Sequence, residues 1–357
     1  MTKQGRIVRV FFLLSCSFFL SGCATSFTSR IHPPTINRTN ESFYLENVPT
    51  VAQKAYQCGP AALESVLRYW GSPADADSIG KALYKSNTHG VFNFTLAQYT
   101  KSLGFWSEIH EDFTVENLKQ WIRKGIPAIV MLDTGTLWAR TYHFVVLKGF
   151  DDHLRIFYAN TGVPETQSID YGEFEQRWKK ADVWSLIVSP LEKVDWELDE
   201  KQSIEIALLF EKKRDLAQAE RWLESALRKN PNSLTAKFNL ANVYGKSDRS
   251  GKAKVIYQEL LDQNPSRTEI SNNLAWIDYE EGRYEEALKV IEAAFKAGAK
   301  KNYDILDTQG MILCRLGRYE DAQAAFLESE NKVPAEEAEA LKLIQEHGRT
   351  CRLKTAP

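Results

Sequence analysis

The spacing of hydrophobic and polar residues changes twice along this chain of 357 residues. Residues 24–47 are rich in Ser, Thr, Pro and Asn and show no apolar periodicity. Residues 48–195 combine helical spacing of apolar positions with strand-like alternation, and from about residue 200 onward the spacing is helical. A period of two indicates strands, and recurrence every three to four residues indicates helices. The pattern therefore predicts an α+β domain followed by an all-α region.

The helical region contains a sequence repeat. Its period is seen in four alanines that stand 34, 34 and 35 residues apart: Ala219, Ala253, Ala287 and Ala322. A second series of small residues recurs at Ala207, Ala241, Ala275 and Gly310. A helix-turn-helix unit of this period resembles the tetratricopeptide repeat, in which small residues let paired helices approach closely. We expect four repeats over residues 200–334, a capping helix and tail over residues 335–357, and a protein or peptide partner bound by the repeats.

The first residues have the organisation of an export signal. A basic stretch comes first, with Lys3, Arg6 and Arg9. The apolar run that follows, residues 10–20, is too short to span a bilayer as a helix. It ends in Leu-Ser-Gly-Cys at residues 20–23, which resembles the bacterial lipobox. The resemblance implies a signal peptide over residues 1–22, a lipid on Cys23 and a flexible tether up to residue 47; a plain signal peptide with a chance cysteine is the alternative.

The residue after Cys23 bears on the destination of the protein. Ala24 stands there rather than aspartate, and in a Gram-negative cell this choice implies sorting to the outer membrane. We therefore expect an exported lipoprotein that is anchored in the outer membrane and faces the periplasm.

Charge and cysteine usage narrow the classes of partner and cofactor. The net charge is −2, and removal of the three basic leader residues leaves roughly −5 with no basic block, so nucleic acid is not an expected partner. No His/Cys spacing resembles a zinc site, and no cofactor is expected. Of five cysteines, Cys16 leaves with the signal and Cys23 carries lipid. Whether Cys314 and Cys351 pair is left open, and so is the oligomeric state.

Cys58 stands where a reactive thiol is expected. Pro60 is placed to start a helix, and an apolar stripe follows at Leu63, Val66, Leu67 and Trp70 before a Gly-Ser-Pro stop at residues 71–73. Cys58 therefore lies at the N-terminal end of the helix and off its apolar stripe. The helix dipole at this end favours thiolate over thiol.

A hairpin is predicted around Asp151 and Asp152. The flanking strand-like runs are residues 143–150 and 153–160, and a two-residue turn between them would place His143 opposite Asn160. Directly opposed residues have Cβ atoms roughly 4.5–5.5 Å apart. A Cys–His pair needs a third polar group to hold the imidazole, and Asn160 is the residue expected to do so. The two aspartates lie at the far end of the hairpin.

These residues together resemble a known group of enzymes. The pattern resembles that of bacteriocin-processing (double-glycine leader) peptidases, which are papain-like cysteine peptidases. It consists of Gln53, Cys-Gly-Pro-Ala-Ala-Leu from Cys58, His-Phe-Val-Val from His143, and Asn160. The likeness covers about residues 48–165. It implies that Cys58 is the nucleophile, His143 the general base and acid, Asn160 the group that orients the imidazole, and Gln53 a donor to the oxyanion hole.

Two departures from the pattern of that group affect these assignments. Gln53 precedes Cys58 by five residues rather than the usual six, which leaves Gln57 as an alternative donor. Asn160 replaces the usual aspartate, as in papain. We expect an α+β papain-like cysteine peptidase domain, followed by an all-α tetratricopeptide-repeat solenoid, that cleaves a peptide or isopeptide bond at the cell envelope. The alternatives are amide hydrolysis or acyl transfer on peptidoglycan, and a non-enzymatic scaffold with an inactive peptidase-like domain.

Overall fold

The computed structural model describes residues 41–53, 57–83, 93–135 and 140–353. It forms two compact units. One comprises the described residues up to Leu103 together with Ser107–Ser189, and the other comprises Gly104–Trp106 and the described residues from Pro190 onward. The predicted signal peptide, Cys23 and most of the predicted tether lie outside the described residues. Within the described part of the chain, no helix is both long enough and apolar enough to cross a membrane.

The first unit is an α+β domain. Its strands are β1 (Ser42–Tyr44), β2 (Phe105–His110), β3 (Ala128–Asp133), β4 (Tyr142–Asp151), β5 (Ile156–Asn160), β6 (Gln167–Asp170) and β7 (Ser185–Pro190), except that the first two residues of β2 and the last of β7 are grouped with the other unit. Its helices are α1 (Cys58–Tyr69), α2 (Ala76–Leu83), α3 (Asn93–Ser102), α4 (Val115–Arg123) and α5 (Tyr171–Lys179). The strand order is β2-β7-β3-β4-β5-β6, and β1 pairs with β4 as well. The pairs β3–β4, β4–β5 and β5–β6 are antiparallel.

Strand β4 lies at the centre of the hydrophobic core. All eight residues from His143 to Phe150 are buried, so this strand lacks the alternation of a half-exposed strand. Helix α1 buries every residue from Gly59 to Leu67, and the indole of Trp70, which directly follows the helix, donates to Val188 O of β7 at 2.9 Å. The predicted helix start at Cys58 and the apolar stripe are thus confirmed.

The predicted hairpin register is wrong. Asp151 pairs with Ile156 rather than following Phe150 into a two-residue turn, and a bulge interrupts the pairing between Leu147 and Gly149. The turn is wider because the Asp151 carboxylate accepts a hydrogen bond from the backbone of Leu154 at 2.9 Å, and because Arg155 adopts a left-handed φ of 55°.

The corrected register separates the two residues that the sequence had placed opposite each other. Asn160 pairs with Val146, three residues farther along β4 than His143. His143 pairs instead with Leu132 of β3 on its other side. The prediction that the amide of Asn160 faces the imidazole of His143 across the hairpin therefore fails.

The second unit is helical. Its helices follow one another in pairs: α6 (Glu200–Lys212) with α7 (Leu216–Lys229), α8 (Leu234–Lys246) with α9 (Ser250–Gln263), α10 (Thr268–Glu280) with α11 (Tyr284–Lys296), and α12 (Tyr303–Arg315) with α13 (Tyr319–Glu330). The four periodic alanines lie on the second helix of each pair and are fully buried. Gly310 is needed for close packing, because a Cβ there would lie 2.6 Å from the ring of Phe326. The predicted order, an α+β domain and then an all-α array, is confirmed.

The array ends in α14 (Ala338–Leu353). A disulfide between Cys314 of α12 and Cys351 of α14 joins this helix to the array, with the two Cα atoms 5.8 Å apart. The imidazole of His347 also contacts both carboxylate oxygens of Asp307 at 2.9 and 3.0 Å. The pairing that the sequence left open is therefore present.

Candidate active site

Cys58 is the first residue of α1. It is partly exposed, whereas the nine residues after it are buried. Of the cysteines in the described ranges, it alone is outside a disulfide. The aligned peptide dipoles of α1 place partial positive charge at its thiol, which favours the thiolate. The N-terminal end of α1, where Cys58 lies, is therefore suited to stabilising a thiolate.

The first turn of α1 packs against the beginning of β4. Gly59, which follows Cys58, faces the ring of Phe144, which follows His143; a Cβ on Gly59 would lie 3.4 Å from that ring. A larger residue at this position would push the helix away from the strand. The Cys-Gly-Pro sequence thus sets how closely the end of the helix that carries the thiol approaches the strand that carries the histidine.

His143 is held through one ring nitrogen. Its Nε2 lies 2.9 Å from the backbone oxygen of Thr161. A carbonyl oxygen can only accept, so Nε2 carries the proton of this hydrogen bond and Nδ1 is the unprotonated nitrogen of the neutral ring. Burial lowers the pKa of His143, and the hydrogen bond to Thr161 offsets part of that effect. Burial thus favours the neutral ring, in which Nδ1 is the nitrogen that can accept a proton.

The carbonyl group of Thr161 is itself fixed in place. Thr161 directly follows β5 and is buried, and its hydroxyl donates to the side-chain oxygen of Gln167, at the start of β6, at 3.1 Å. This hydrogen bond ties the two ends of the β5–β6 connection together. The backbone oxygen that orients His143 is thus held in place by the two strands that flank it.

Asn160 does not occupy the orienting position that the sequence assigned to it. Its side-chain NH2 group donates to Pro49 O at 3.0 Å, and more weakly to Val48 O and Ser65 Oγ, both at 3.4 Å. Its side-chain oxygen accepts from Thr50 Oγ1 at 2.9 Å. The side chain is buried and joins β5 to residues 48–50 and to α1.

The structure distinguishes the two glutamines that could serve an oxyanion hole. The backbone N–H of Gln53 donates to Gly162 O at 3.3 Å, and its side chain lies on the Cα of Gly162. Gln57 instead donates from Nε2 to Asp77 of α2 at 3.0 Å. Of the two, Gln53 is therefore the one that packs against Gly162, the residue that follows Thr161.

Gly162 is required by this arrangement. Its φ is +93°, and a Cβ on it would lie 2.6 Å from both Cγ and Oε1 of Gln53. Only glycine satisfies both the backbone conformation and the close approach. The sequence Asn-Thr-Gly at residues 160–162 has turn character, which is a signal for this position, but no sequence signal marks the Thr161 carbonyl as the partner of His143.

Among the residues that the structure describes, no three His, Cys, Asp or Glu side chains are grouped closely enough to hold a metal ion.

Comparison with known families identifies both parts of the chain. Residues 45–184 match the model of the Peptidase_C39 like family. Residues 212–277 and 246–309 match the model of the tetratricopeptide repeat. The chain carries a Peptidase_C39 like domain followed by tetratricopeptide repeats. The Peptidase_C39 like match contains Gln53, Cys58, His143 and Asn160, and both families agree with those inferred from the sequence.

Solved structures similar to parts of the chain include both kinds of protein. One described as a C39-like peptidase from Bacillus anthracis is 17% identical, with a TM-score of 0.35, and the match covers 42% of this chain and 98% of that one. PilF of Pseudomonas aeruginosa is 22% identical, with a TM-score of 0.34, covering 43% and 72%. YrrB, a tetratricopeptide repeat protein with an unusual peptide-binding site, is 19% identical, with a TM-score of 0.32, covering 43% and 80%. No curated protein is significantly similar to this chain.

Proposed function

We propose that the protein is an envelope-anchored cysteine hydrolase that cleaves a peptide or isopeptide bond, and that its repeats recruit a protein partner or the substrate. The observation that carries the hydrolase proposal is the hydrogen bond from His143 Nε2 to Thr161 O, at 2.9 Å. It fixes the tautomer that a cysteine hydrolase needs, because Nδ1 is left as the proton acceptor.

The proposed reaction begins with transfer of the Cys58 proton to His143 Nδ1. The thiolate then attacks the carbonyl carbon of the scissile bond, and its sulfur forms a bond with that carbon. The imidazolium gives its proton to the leaving amine as the C–N bond breaks, which leaves an acyl thioester on Cys58. Water, deprotonated by His143, then attacks the thioester; the carboxylic acid is released and the thiol is regenerated.

Two donors stabilise the negative oxygen of each tetrahedral intermediate in this mechanism. They are the backbone N–H of Cys58, at the positive end of the α1 dipole, and the side-chain amide of Gln53. The burial that lowers the pKa of His143 makes a lone imidazolium costly. In the proposed mechanism the Thr161 carbonyl and the Cys58 thiolate stabilise the imidazolium.

The repeats provide the recruitment surface. Tetratricopeptide arrays bind extended or helical peptides on the surface formed by the first helix of each repeat. On the first helices α8 and α10, Asn242 Oδ1 accepts from Asn273 Nδ2 at 2.9 Å, and Trp276 stacks with Tyr279 at a ring separation of 5.2 Å. Such ordered amide and aromatic side chains favour a peptide ligand. Trp276→Ala should weaken retention of an envelope partner by the full chain, whereas Val255→Ala, at a strongly exposed site on the second helix α9, should not.

The proposed anchor is a lipid on Cys23 at the outer membrane. The disulfide between Cys314 and Cys351 favours an oxidising compartment, which agrees with export. Replacing Cys23 with Ser should abolish incorporation of labelled fatty acid and release the protein from the membrane fraction. Full membrane retention of the variant would contradict the anchor without affecting the proposed chemistry.

Alkylation of Cys58 tests the hydrolase proposal. At pH 6 iodoacetamide should modify Cys58 much faster than an ordinary thiol, whose pKa is about 8.5, because the helix and His143 stabilise the thiolate. His143→Ala should remove the advantage, measured by mass spectrometry of the peptide that contains Cys58. Equal rates in wild type and His143→Ala would favour the inactive scaffold.

A further inference from the structure

The side chain of Asn160 makes four hydrogen bonds, and its partners lie on two separate segments. Its side-chain oxygen accepts a hydrogen bond from the Thr50 hydroxyl at 2.9 Å, and its NH2 group donates to Pro49 O at 3.0 Å. It also contacts Ser65 Oγ of α1 at 3.4 Å, and Ser65 donates to the same Pro49 oxygen at 2.5 Å. One buried amide thus joins β5, α1 and residues 48–50.

The segment that Asn160 holds leads directly to Gln53. Residues 48–50 precede Gln53 by three to five positions, and the segment is attached again where Gln53 N donates to Gly162 O at 3.3 Å. Between these attachments the path of the backbone is set at both ends. The position of the Gln53 side chain on Gly162 therefore depends on the contacts that Asn160 makes.

We propose that Asn160 is a positioning residue that holds the segment carrying Gln53, and so places the donor of the oxyanion hole, rather than a residue that orients the imidazole. This inference rests on the proposed function. It assigns the two tasks to adjacent groups: the Thr161 carbonyl holds His143, and the Asn160 amide holds the Gln53 segment. Loss of Asn160 should then weaken oxyanion stabilisation while leaving the thiolate–imidazole pair intact.

Two small reagents separate these roles without knowledge of the natural substrate. Iodoacetamide alkylates the thiolate by displacing iodide, and no oxyanion forms. p-Nitrophenyl acetate acylates the thiolate through a tetrahedral oxyanion, with p-nitrophenolate as leaving group. Both rates are measured on Cys58 of the full-length protein in detergent, by mass spectrometry of the peptide that contains it.

Asn160→Ala should slow acylation by about 100-fold, comparable to the loss of one oxyanion-hole donor, and should leave the alkylation rate and its pH profile unchanged. Gln53→Ala should give the same pattern. The double variant should be no slower than Gln53→Ala alone, because both changes remove one function. Asn160→Asp should behave like Asn160→Ala, because an ionised carboxylate cannot donate to Pro49 O.

Two further variants separate these effects from loss of stability. Asn117→Ala removes the capping-box asparagine of α4, at a distance from the site in the sequence and in the hydrogen-bond network, and should change neither rate. Thr50→Val removes one hydrogen bond of Asn160 and should slow acylation in the same direction as Asn160→Ala but less. This milder change keeps the test valid if Asn160→Ala does not fold.

The results that overturn the proposal differ from those that overturn the hydrolase. If Asn160→Ala slows alkylation as much as acylation, and Asn160→Asp restores both, then Asn160 acts on His143 and the positioning role is wrong. If Asn160→Ala changes neither rate, the role is also wrong. A wild-type Cys58 that is not acylated, and that alkylates no faster than in His143→Ala, would overturn the hydrolase and the positioning role together.

Discussion

His143 donates the proton of its Nε2 to the backbone carbonyl oxygen of Thr161, 2.9 Å away. A main-chain oxygen thus orients the imidazole, whereas the sequence predicted that a side chain would do so. Because every residue at position 161 has a carbonyl, no substitution deletes this acceptor. Moving the backbone that follows β5 would therefore disturb this hydrogen bond.

Gly162 offers a way to disturb that region. Gly162→Ala places a methyl group against the Gln53 side chain, so we expect slow acylation of Cys58 by p-nitrophenyl acetate in addition to lower stability. Gly71→Ala is the matched control, because Gly71 also has a left-handed φ, +81°, but open space around its Cα. In both variants the left-handed backbone should lower the free energy of unfolding by roughly 1–2 kcal/mol, which urea unfolding measures.

The difference between the two glycine variants is the informative quantity. Gly162→Ala should acylate Cys58 much more slowly than Gly71→Ala does, and Gly71→Ala should keep the wild-type acylation rate. Equal acylation rates in the two variants would show that Gln53 is not needed at its observed position.

Lys148 lies in the interior without a carboxylate partner among the described residues. It is 3% exposed, its Nζ lies 3.4 Å from Val48 O and 5.3 Å from the centre of the Tyr44 ring, and burial lowers its pKa to about 8. Between that value and the unfolded pKa near 10.4, the unfolded chain binds more protons than the folded one. The contribution of Lys148 to stability therefore improves as the pH rises from 8 to 10 and is least favourable below 8.

Lys148→Met should accordingly raise the free energy of unfolding at pH 7, by up to about 3 kcal/mol. The gain over wild type should shrink as the pH approaches 10, which urea unfolding at both pH values measures. A variant that is less stable than wild type at pH 7 would show that the contacts of the ammonium with Val48 and Tyr44 outweigh its burial.

The disulfide makes α14 part of the helical array. Cys351→Ser opens a loop with a sequence separation of 37 residues, and we expect a loss of roughly 2–4 kcal/mol in the unfolding free energy of the helical unit. Cys58→Ser is the control, since it keeps the disulfide. The loss is read from helical circular dichroism in urea without reductant. A helical transition that is the same in both variants and in wild type would contradict the contribution of the disulfide.

The sequence predicted those features that depend on local pattern. Pro60 and the stripe beginning at Leu63 indicated where α1 starts, and so placed Cys58 at its N-terminus. The period of the buried alanines indicated the paired helices. Each of these patterns concerns only one or two neighbouring helices, so the structure that it predicts does not depend on contacts with distant parts of the chain.

Features that depend on distant packing were not predictable. The hairpin register changed because of the bulge between Leu147 and Gly149 and the wide turn made by Asp151; a glycine in a strand and an aspartate at a turn are signals for such features but do not fix the register. The partner of His143 is a main-chain oxygen, and because every residue type has one, the sequence does not reveal it. Pairing of Cys314 with Cys351 depends on how α14 packs on α12, which their spacing alone does not determine.

Turnover of p-nitrophenyl acetate is the most direct test of a Cys58–His143 hydrolase. Wild type should release several p-nitrophenolate molecules per protein, while an acetyl group appears on Cys58 and is lost again, as followed by rapid mixing and intact mass. Cys58→Ala should release no more than buffer alone, and His143→Ala should form the acetyl thioester slowly. Equal release of p-nitrophenolate by wild type and Cys58→Ala, or an acetyl group that forms on Cys58 and is never hydrolysed, would contradict hydrolysis at this site.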